Sequence, residues 1–375
     1  MKYFEQFTSN TCAGSANQLF FSTEDDGLTT GRVFYKINFG GELDYSFLFT
    51  NIIDSTFADG SVSHNNILCD QWFIGGARVG KCKDIPPVAN MSRLTVADLG
   101  EGEADITVCE LTELSFGGCK SKTVMPGEFF TTDPVRLSFN KGEYICLEIS
   151  FCGKMIPYHE ESLLPIFIKD GDEWRYSRRM PLAAMVGCKR EVVARIGYLG
   201  DSITQGIGTR YNSYLHWNAL VSERLGDKYS YWNLGIGYGR ASDAASDGAW
   251  LFKAKACDIV FVCYGTNDIL QGHSEEQIKS DIYRITKLLK SSGKRVILQT
   301  LPPFDYTGDN VGKWQRINEF IKTTLSSEAD LVFDVVPILE KEGCPAAAKF
   351  GGHPNEEGCA LWAQALLSAV SDLVS

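Results

Sequence analysis

Hydrophobic and polar positions follow two different patterns along this chain, and the change falls near residue 190. Before it, short apolar stretches alternate with polar residues, as at 33–39, 44–49 and 144–151. A period of two, with aromatic and β-branched enrichment, is typical of half-buried strands. Glycine, proline and asparagine separate these stretches every 8–12 residues. The spacing predicts an all-β sandwich of the jelly-roll type over residues 1–185.

After residue 190, apolar runs of strand length alternate with longer amphipathic stretches. Strands are predicted over residues 194–200, 229–235, 257–264, 294–300 and 330–335. Helices are predicted over residues 209–226, 241–254, 274–291, 311–327 and 356–373. Ser274 begins one helix with a capping box, and Asn355 is the N-cap of another. The alternation predicts a second domain over 190–375, with a parallel sheet and helices on both of its faces.

Composition and charge narrow the class of protein. The 375 residues are 44% hydrophobic and 22% charged, and the formal net charge is −11. This acidic balance argues against nucleic acid or an anionic membrane as a partner. No run reaches the roughly 18 apolar residues of a membrane helix, and the first residues do not resemble a secretory signal. We therefore expect a cytoplasmic protein whose 12 cysteines are reduced thiols.

Three polar turns carry the candidate chemistry. Residues 200–206 (Gly-Asp-Ser-Ile-Thr-Gln-Gly) follow an apolar run and hold Ser202 on a tight turn. His353 lies before the last predicted helix, and Asn267 follows the strand at 257–264. The carboxyl ends of parallel strands meet at one edge of a sheet, so these turns predict a single site. Taken alone, Ser202 is equally typical of a helix cap, and His353 is more typical of a loop histidine than of a catalytic base.

An oxyanion hole is the second expected part of the site. The Asn267 amide and backbone N–H groups of the glycine-rich turn at 233–239 are suitable donors. That turn does not fit a dinucleotide fingerprint, because Ser242 stands where its third glycine is required. The sequence has no His-Glu-x-x-His zinc motif. We therefore expect neither a metal nor an organic cofactor.

The order of these turns resembles the four blocks of the SGNH (GDSL-type) hydrolases. They are residues 200–203, the turn after Asn233, residues 265–268 and residues 353–355, and the resemblance covers 190–375. It implies a flavodoxin-like three-layer α/β/α fold. It also implies that Ser202 is the nucleophile and His353 the general base. The implied oxyanion donors are the Ser202 N–H, second-block N–H groups at Tyr238 and Gly239, and the Asn267 side chain.

Two positions depart from the family pattern. The family's triad acid lies three residues before the histidine, where this chain has Phe350. Asp334 is a candidate substitute, although a strand-end cap is the simpler interpretation, and Asp201 and Asp268 are further candidate supporting acids. Tyr238 takes the place of the second-block glycine. A β-sandwich before an SGNH domain resembles carbohydrate esterases, some of which are similar in using a Ser-His dyad.

These observations predict an esterase that removes a small acyl group from a sugar or another polyol, and the family resemblance implies that this group is acetyl. Its expected partner is a small acylated substrate. Two alternatives remain open, a thioesterase or lipase with an acyl channel and a carbohydrate-binding protein that has lost catalysis. The sequence also leaves open a homo-oligomer paired through sheet edges.

Overall fold

The structure, a computed structural model, describes residues 1–23, 27–57, 63–82, 84–93 and 108–373. The chain divides into two compact units. The first consists of Met1–Val62, Asn66–Glu191 and Arg210–Ser213. The second consists of Ser63–Asn65, Val192–Thr209 and Tyr214–Ser375. Each unit therefore takes one short segment from the sequence of the other.

The N-terminal half is built from strands after one short helix, α1 (Tyr3–Gln6). The strands are β1 (Thr8–Ser9), β2 (Leu19–Phe21), β3 (Thr29–Lys36), β4 (Gly41–Thr50), β5 (Ile52–Phe57), β6 (Ser63–Leu68), β7 (Trp72–Cys82), β8 (Val108–Glu113), β9 (Lys122–Val124), β10 (Phe129–Thr131), β11 (Val135–Phe139), β12 (Tyr144–Gly153), β13 (Ile156–Tyr158), β14 (Ile166–Asp170), β15 (Glu173–Tyr176) and β16 (Met185–Cys188). A 3-10 turn lies at Met91–Arg93.

Antiparallel pairing organises these strands, as the alternating pattern predicts. Within the described ranges, one sheet has the order β1-β16-β4-β10, and β11 also pairs with β4. A larger sheet has the order β15-β14-β3-β12-β7-β8, and β9 pairs with β7. Two further pairs join β13 to β2 and β5 to β6. The expected all-β character of residues 1–185 is confirmed as a largely antiparallel β region, and the jelly-roll sandwich stays a prediction.

The C-terminal half alternates strands and helices. The strands are β17 (Ala194–Gly200), β18 (Tyr229–Gly235), β19 (Ile259–Cys263), β20 (Arg295–Gln299) and β21 (Leu331–Phe333). The helices are α2 (Ser202–Gln205), α3 (Trp217–Leu225), α4 (Ala241–Ala245), α5 (Ala249–Ala254), α6 (Thr266–Leu270), α7 (Glu275–Ser291), α8 (Asp309–Thr323), α9 (Val336–Leu339) and α10 (Glu356–Val370). Short 3-10 turns lie at Gly226–Lys228 and Leu325–Ser327.

All strand pairs of the C-terminal sheet are parallel, in the order β18-β17-β19-β20-β21. In order along the chain this is 2-1-3-4-5, the flavodoxin-like arrangement, so the predicted fold class is confirmed. The order reverses at β17, and β18 and β19 flank that strand. α3 packs against α10, and α7 packs against α4 and α8. None of the described helices is long and apolar enough to cross a membrane.

Two of the predicted helices were wrong in extent. The helix expected over 209–226 begins only at Trp217, because Asn212 and Tyr214 adopt positive φ values of 59° and 53°. The Asn212 amide instead donates to the Ile85 carbonyl and the Tyr144 hydroxyl.

The helix expected over 241–254 is two helices, α4 and α5. The chain leaves the helical conformation between them, where Asp247 has a φ of 60°. Gly248, the next residue, is the extended N-cap of α5. A single positive φ is enough to end a right-handed helix.

A stacked pair of tryptophans forms part of the core between α3 and α10. The Trp217 and Trp362 rings are 4.8 Å apart and nearly parallel, and neither side chain has exposed surface. The Trp362 indole N–H donates to the Gln299 side chain at 2.9 Å, which ties α10 to the end of β20. This contact fixes the helix that follows the candidate base.

Replacing Trp362 tests this packing. We expect Trp362→Ala to lower the free energy of unfolding by about 3–5 kcal/mol, because it leaves a large cavity in a dense core. The neighbouring Leu361 is 40% exposed. Leu361→Ala should therefore change stability by no more than about 0.5 kcal/mol. Urea unfolding followed by far-UV circular dichroism measures both variants, and equal losses would contradict the assignment of Trp362 to the core.

Candidate active site

Ser202 is placed by the turn that joins β17 to α2. Its neighbour Asp201 caps the helix by accepting the Ile203 N–H at 3.0 Å. A Cβ added at Gly200 would lie 2.1 Å from Thr204 Oγ1 and 2.7 Å from a main-chain oxygen, so the turn requires glycine there. Because Ser202 is the first residue of α2, its N–H has no partner within the helix.

His353 is the partner of this serine. Its Nε2 lies 2.8 Å from the Ser202 Oγ. The histidine belongs to the turn before α10, whose N-cap Asn355 accepts the Gly358 N–H at 3.0 Å. Gly208 lets the chain pass close to this turn. It has a φ of +102°, and a Cβ there would lie 2.6 Å from the His353 carbonyl oxygen. The two residues chosen from the sequence therefore form a hydrogen-bonded pair.

An aromatic ring, rather than a carboxylate, contacts the imidazole. The ring of Phe304 meets His353 edge-to-face, with centroids 5.1 Å apart and planes at 79°. Among the described residues, no carboxylate forms a hydrogen bond or an ion pair with His353. Phe350, at the family's acid position, packs against Gly358 of α10. Burial lowers the pKa of His353 below its ordinary value of 6.5, so the neutral, proton-accepting form is favoured.

Asp334 is engaged away from the histidine. Its Oδ1 accepts the Thr300 hydroxyl at 2.9 Å and the Val336 N–H at 3.1 Å. The Lys322 ammonium lies 3.6 Å from its other oxygen. In this structure Asp334 caps the end of β21 and makes no hydrogen bond with His353.

The second-block turn has a conformation that favours glycine. Asn233 Oδ1 accepts the Gly235 N–H at 2.9 Å, which fixes the start of the turn. Tyr238 then adopts a φ of +60° and leaves its side chain 47% exposed. The Gly239 N–H donates to the Ile236 carbonyl at 3.1 Å. That N–H is therefore occupied within the turn, and Gly239 is not available as the oxyanion donor expected from the sequence; Tyr238 stays a predicted donor.

Asn267 supplies a side-chain amide at the same edge of the sheet. It follows β19, which pairs with β17, and Ser202 follows β17. One of its amide N–H groups donates to the Gly239 carbonyl at 2.9 Å. An amide nitrogen carries two N–H donors. The second N–H of Asn267 makes no hydrogen bond to a described residue. The amide is therefore held in place and keeps one donor for a ligand.

The two supporting acids of the block motifs serve the scaffold. Asp268 accepts the Ala241 N–H at 3.0 Å and so ties the start of α4 to the third block. The Nδ1 of His273 lies 3.6 Å from Asp268 Oδ1. Burial raises the pKa of Asp201 to about 7 and that of Asp268 to about 7. Both carboxyl groups therefore titrate near neutrality.

Phe304 is the residue of this site that the sequence reasoning missed. It lies in a loop after β20, at residues 302–304 (Pro-Pro-Phe), and no block motif includes it. Its contact with His353 depends on two segments about 50 residues apart, and no local pattern reports such a contact.

Among the described residues, no group of three or more His, Cys, Asp or Glu side chains is arranged to hold a metal ion.

Comparison with known proteins agrees with this geometry. The profile of the GDSL-like lipase/acylhydrolase family matches residues 198–361, which include Ser202, Asn267 and His353. The C-terminal half of the chain is a GDSL/SGNH hydrolase domain. The function predicted for this half is thereby supported at the level of a GDSL-like acylhydrolase or esterase. A search of curated proteins found no match to the chain.

Several solved structures are similar to the GDSL domain. A member of the lipolytic protein G-D-S-L family from Veillonella parvula is 20% identical, with a TM-score of 0.39 over 47% of this chain and 98% of that one. LAE5, an enzyme from the metagenome of Lake Arreo in Spain, is 21% identical, with a TM-score of 0.41 over 50% and 99%. The acetyl xylan esterase AlAXEase is 20% identical, with a TM-score of 0.39 over 47% and 99%.

The pH dependence of the GDSL domain tests the role of His353. A general base must be neutral in the free enzyme, and burial lowers its pKa. We expect activity to fall as the pH drops, with the midpoint of the acidic limb of kcat/KM below 6.5. Steady-state rates on a soluble aryl ester across pH 4–9 measure it. A midpoint near 7 would contradict this, because it would match the carboxyl groups of Asp201 and Asp268 instead.

Phe304 is expected to position the imidazole. Phe304→Ala should lower kcat about tenfold with little change in KM, because an edge-to-face pair contributes about 0.5–1.5 kcal/mol. It should also move the acidic limb upward, since water then reaches His353. Phe304→Tyr should restore most of the rate, and Asp334→Asn is the control that should leave both readouts unchanged. A rate loss without a shift of the limb would indicate a merely structural role.

Proposed function

We propose that the GDSL domain is a serine esterase that removes a small acyl group, acetyl, from a carbohydrate or a related alcohol through an acyl-enzyme intermediate. The observation that carries the proposal is the Ser202–His353 pair, with its 2.8 Å Oγ to Nε2 distance at the carboxyl edge of the parallel sheet. A serine hydroxyl becomes a nucleophile when an adjacent base accepts its proton.

In the first half of the reaction, Ser202 Oγ attacks the ester carbonyl while its proton passes to His353 Nε2. The carbonyl oxygen becomes an oxyanion, and its proposed donors are the Ser202 N–H and the remaining Asn267 amide N–H, with the Tyr238 N–H as the predicted third. One such donor contributes roughly 3 kcal/mol in a transition state. The tetrahedral intermediate collapses, the bond from carbon to the alcohol oxygen breaks, and His353 returns its proton to that oxygen.

In the second half, water replaces the alcohol. His353 takes a proton from the water as its oxygen attacks the acyl carbon, and a second oxyanion forms at the same donors. Collapse then breaks the bond to Ser202 Oγ, which recovers the proton from His353. The products are the free carboxylic acid and the original enzyme. Because no carboxylate of the described residues bonds to His353, we propose a two-residue mechanism in which packing against Phe304 orients the base.

The side chains around the pair support the choice of substrate. Because His353 protonates the departing alcohol, that alcohol must lie beside His353 and hence beside Phe304. A half-buried aromatic ring suits the apolar face of a sugar ring. Tyr238 adds a large side chain where the block pattern has glycine, and we infer that it narrows the acyl side of the site.

Hydrolysis of p-nitrophenyl esters from acetate to palmitate tests the proposal. We expect selectivity for acetate and a loss of about 10⁴-fold or more in Ser202→Ala, because the nucleophile is removed. Ser292→Ala, at an exposed helix end, is the matched control and should keep the wild-type rate.

The other outcomes of this assay have definite meanings. A preference for long chains would favour a thioesterase or lipase instead. No turnover on any ester, together with no labelling of Ser202 by a reactive-serine probe, would favour a protein that binds but does not hydrolyse. Release of acetate from acetylated xylo-oligosaccharides, measured against the same two variants, tests the carbohydrate part.

A further inference from the structure

The N-terminal unit contains a cavity of about 420 Å³ on its larger sheet. Its lining includes the main chain of Gly75 and Gly76 and the side chains of Arg78, Glu148 and Trp174. The volume lies in the range of small-molecule sites. All the lining residues belong to the first unit, and none takes part in the ester chemistry described above.

The register of three strands explains where the cavity lies. Ser150 of β12 is opposite Thr30 of β3 on one side and Gly76 of β7 on the other. The Thr30 and Ser150 hydroxyls are 2.8 Å apart. Gly76 adds no side chain to this row, and a Cβ built there would meet nothing within 4 Å. The missing side chain therefore leaves open space beside two hydroxyl groups.

The next row of the same face is a buried ionic network. Glu148 lies opposite Arg32 and Arg78, and it accepts a hydrogen bond from the Nε of each at 2.8 Å. The Arg32 guanidinium stacks over the Trp174 ring, 4.3 Å from its centroid. The side chains of Arg32 and Glu148 are 3% and 5% exposed, whereas that of Arg78 is 47% exposed. The network therefore fixes Arg78 from beneath while leaving it accessible to a ligand.

Hydrogen-bond donors without a partner among the described residues remain beside this ionic network. Arg78 contacts Glu148 through Nε and Nη2, and its Nη1 makes no hydrogen bond to a described residue. Lys169, which also lines the cavity, has no ion pair with a described residue. Lys120 pairs with Glu113 at 2.5 Å. The lining thus offers ammonium and guanidinium donors beside carboxylate acceptors.

The ammonium, guanidinium, carboxylate and hydroxyl groups around the cavity determine which class of ligand can bind there. An acyl chain would bury charged side chains without a partner, which is costly. A compact anion of high charge would face two carboxylates, Glu113 and Glu148. A polyhydroxylated ring both donates and accepts at every hydroxyl, and so it can satisfy both kinds of group.

We propose that this cavity is a saccharide-binding site that holds a neutral sugar residue between Arg78, Lys169 and the Thr30–Ser150 hydroxyl pair. The proposal goes beyond the esterase activity and does not depend on it. It gives the N-terminal unit a binding role of its own, with a ligand class that can be measured without any hydrolysis.

Isothermal titration of the full chain carrying Ser202→Ala tests the site. The probes are unacetylated tri- and tetrasaccharides of xylose, glucose and mannose, beside inorganic phosphate and octanoate. We expect one saccharide class to bind with one-site stoichiometry, and phosphate and octanoate not to bind. No binding by any of the saccharides, or binding of phosphate or octanoate instead, would overturn the proposal.

Gly76→Leu is the decisive variant, because its side chain fills the open space without a clash at Cβ. We expect at least a tenfold loss of saccharide affinity. Gly27→Leu is the matched control, since Gly27 is also open around its Cβ and does not line the cavity. Lys169→Ala, an exposed change, should weaken binding several-fold and covers the case in which Gly76→Leu does not fold.

The same substitutions in the chain with Ser202 intact separate this site from the catalytic one. Hydrolysis of p-nitrophenyl acetate should be unchanged in Gly76→Leu and Lys169→Ala, and circular dichroism with urea unfolding checks separately that the variants are folded. Saccharide affinity that is equal in the parent, Gly76→Leu and Lys169→Ala chains would place the binding elsewhere and overturn the proposal. Failure of the esterase proposal would leave these titrations interpretable.

Discussion

The candidate site depends on the parallel pairing of β17 with β18 and β19. This pairing places Gly200 opposite Gly235 and Cys263, so the chain leaves three strands at the same edge. Each exit carries one functional element, namely Ser202, the turn through Tyr238, and Asn267. A shift of one residue in either pairing would turn these side chains toward the other face of the sheet. The placement of Ser202 beside Asn267 and the Tyr238 turn is therefore a property of strand register as much as of the residues themselves.

The base of this site is positioned in an uncommon way. A triad acid holds the imidazole by a charged hydrogen bond and stabilises its protonated form. Here the Phe304 ring positions the His353 imidazole through an edge-to-face packing contact. Burial disfavours the protonated imidazolium form of His353. The arrangement favours a base that stays neutral over a wide pH range, at the expense of proton-accepting strength.

Local sequence signals predicted the parts of the structure that local interactions determine. β17 and β18 have the bounds expected from their apolar runs, and α7 begins after Ser274, whose hydroxyl accepts the Gln277 N–H as the capping box requires. Ser202 and His353 were found because fixed motifs surround them. Distant contacts, which no local signal reports, decide the conformation of Asn212, bonded to Ile85 and Tyr144, and the position of Phe304 beside His353.

The segment Arg210–Ser213 has a consequence for how the chain is made. Its backbone bridges to Val88, and the Asn212 side chain binds two groups of the first unit, yet it follows β17 and α2 of the second. A ribosome would thus release the first 191 residues before this unit has its last hydrogen-bonding partners. The first unit can be completed only after β17 and α2 of the second unit have been synthesised, because both precede Arg210–Ser213 in the chain. A gene split at the apparent boundary near residue 190 would leave the first half without a piece of its own fold.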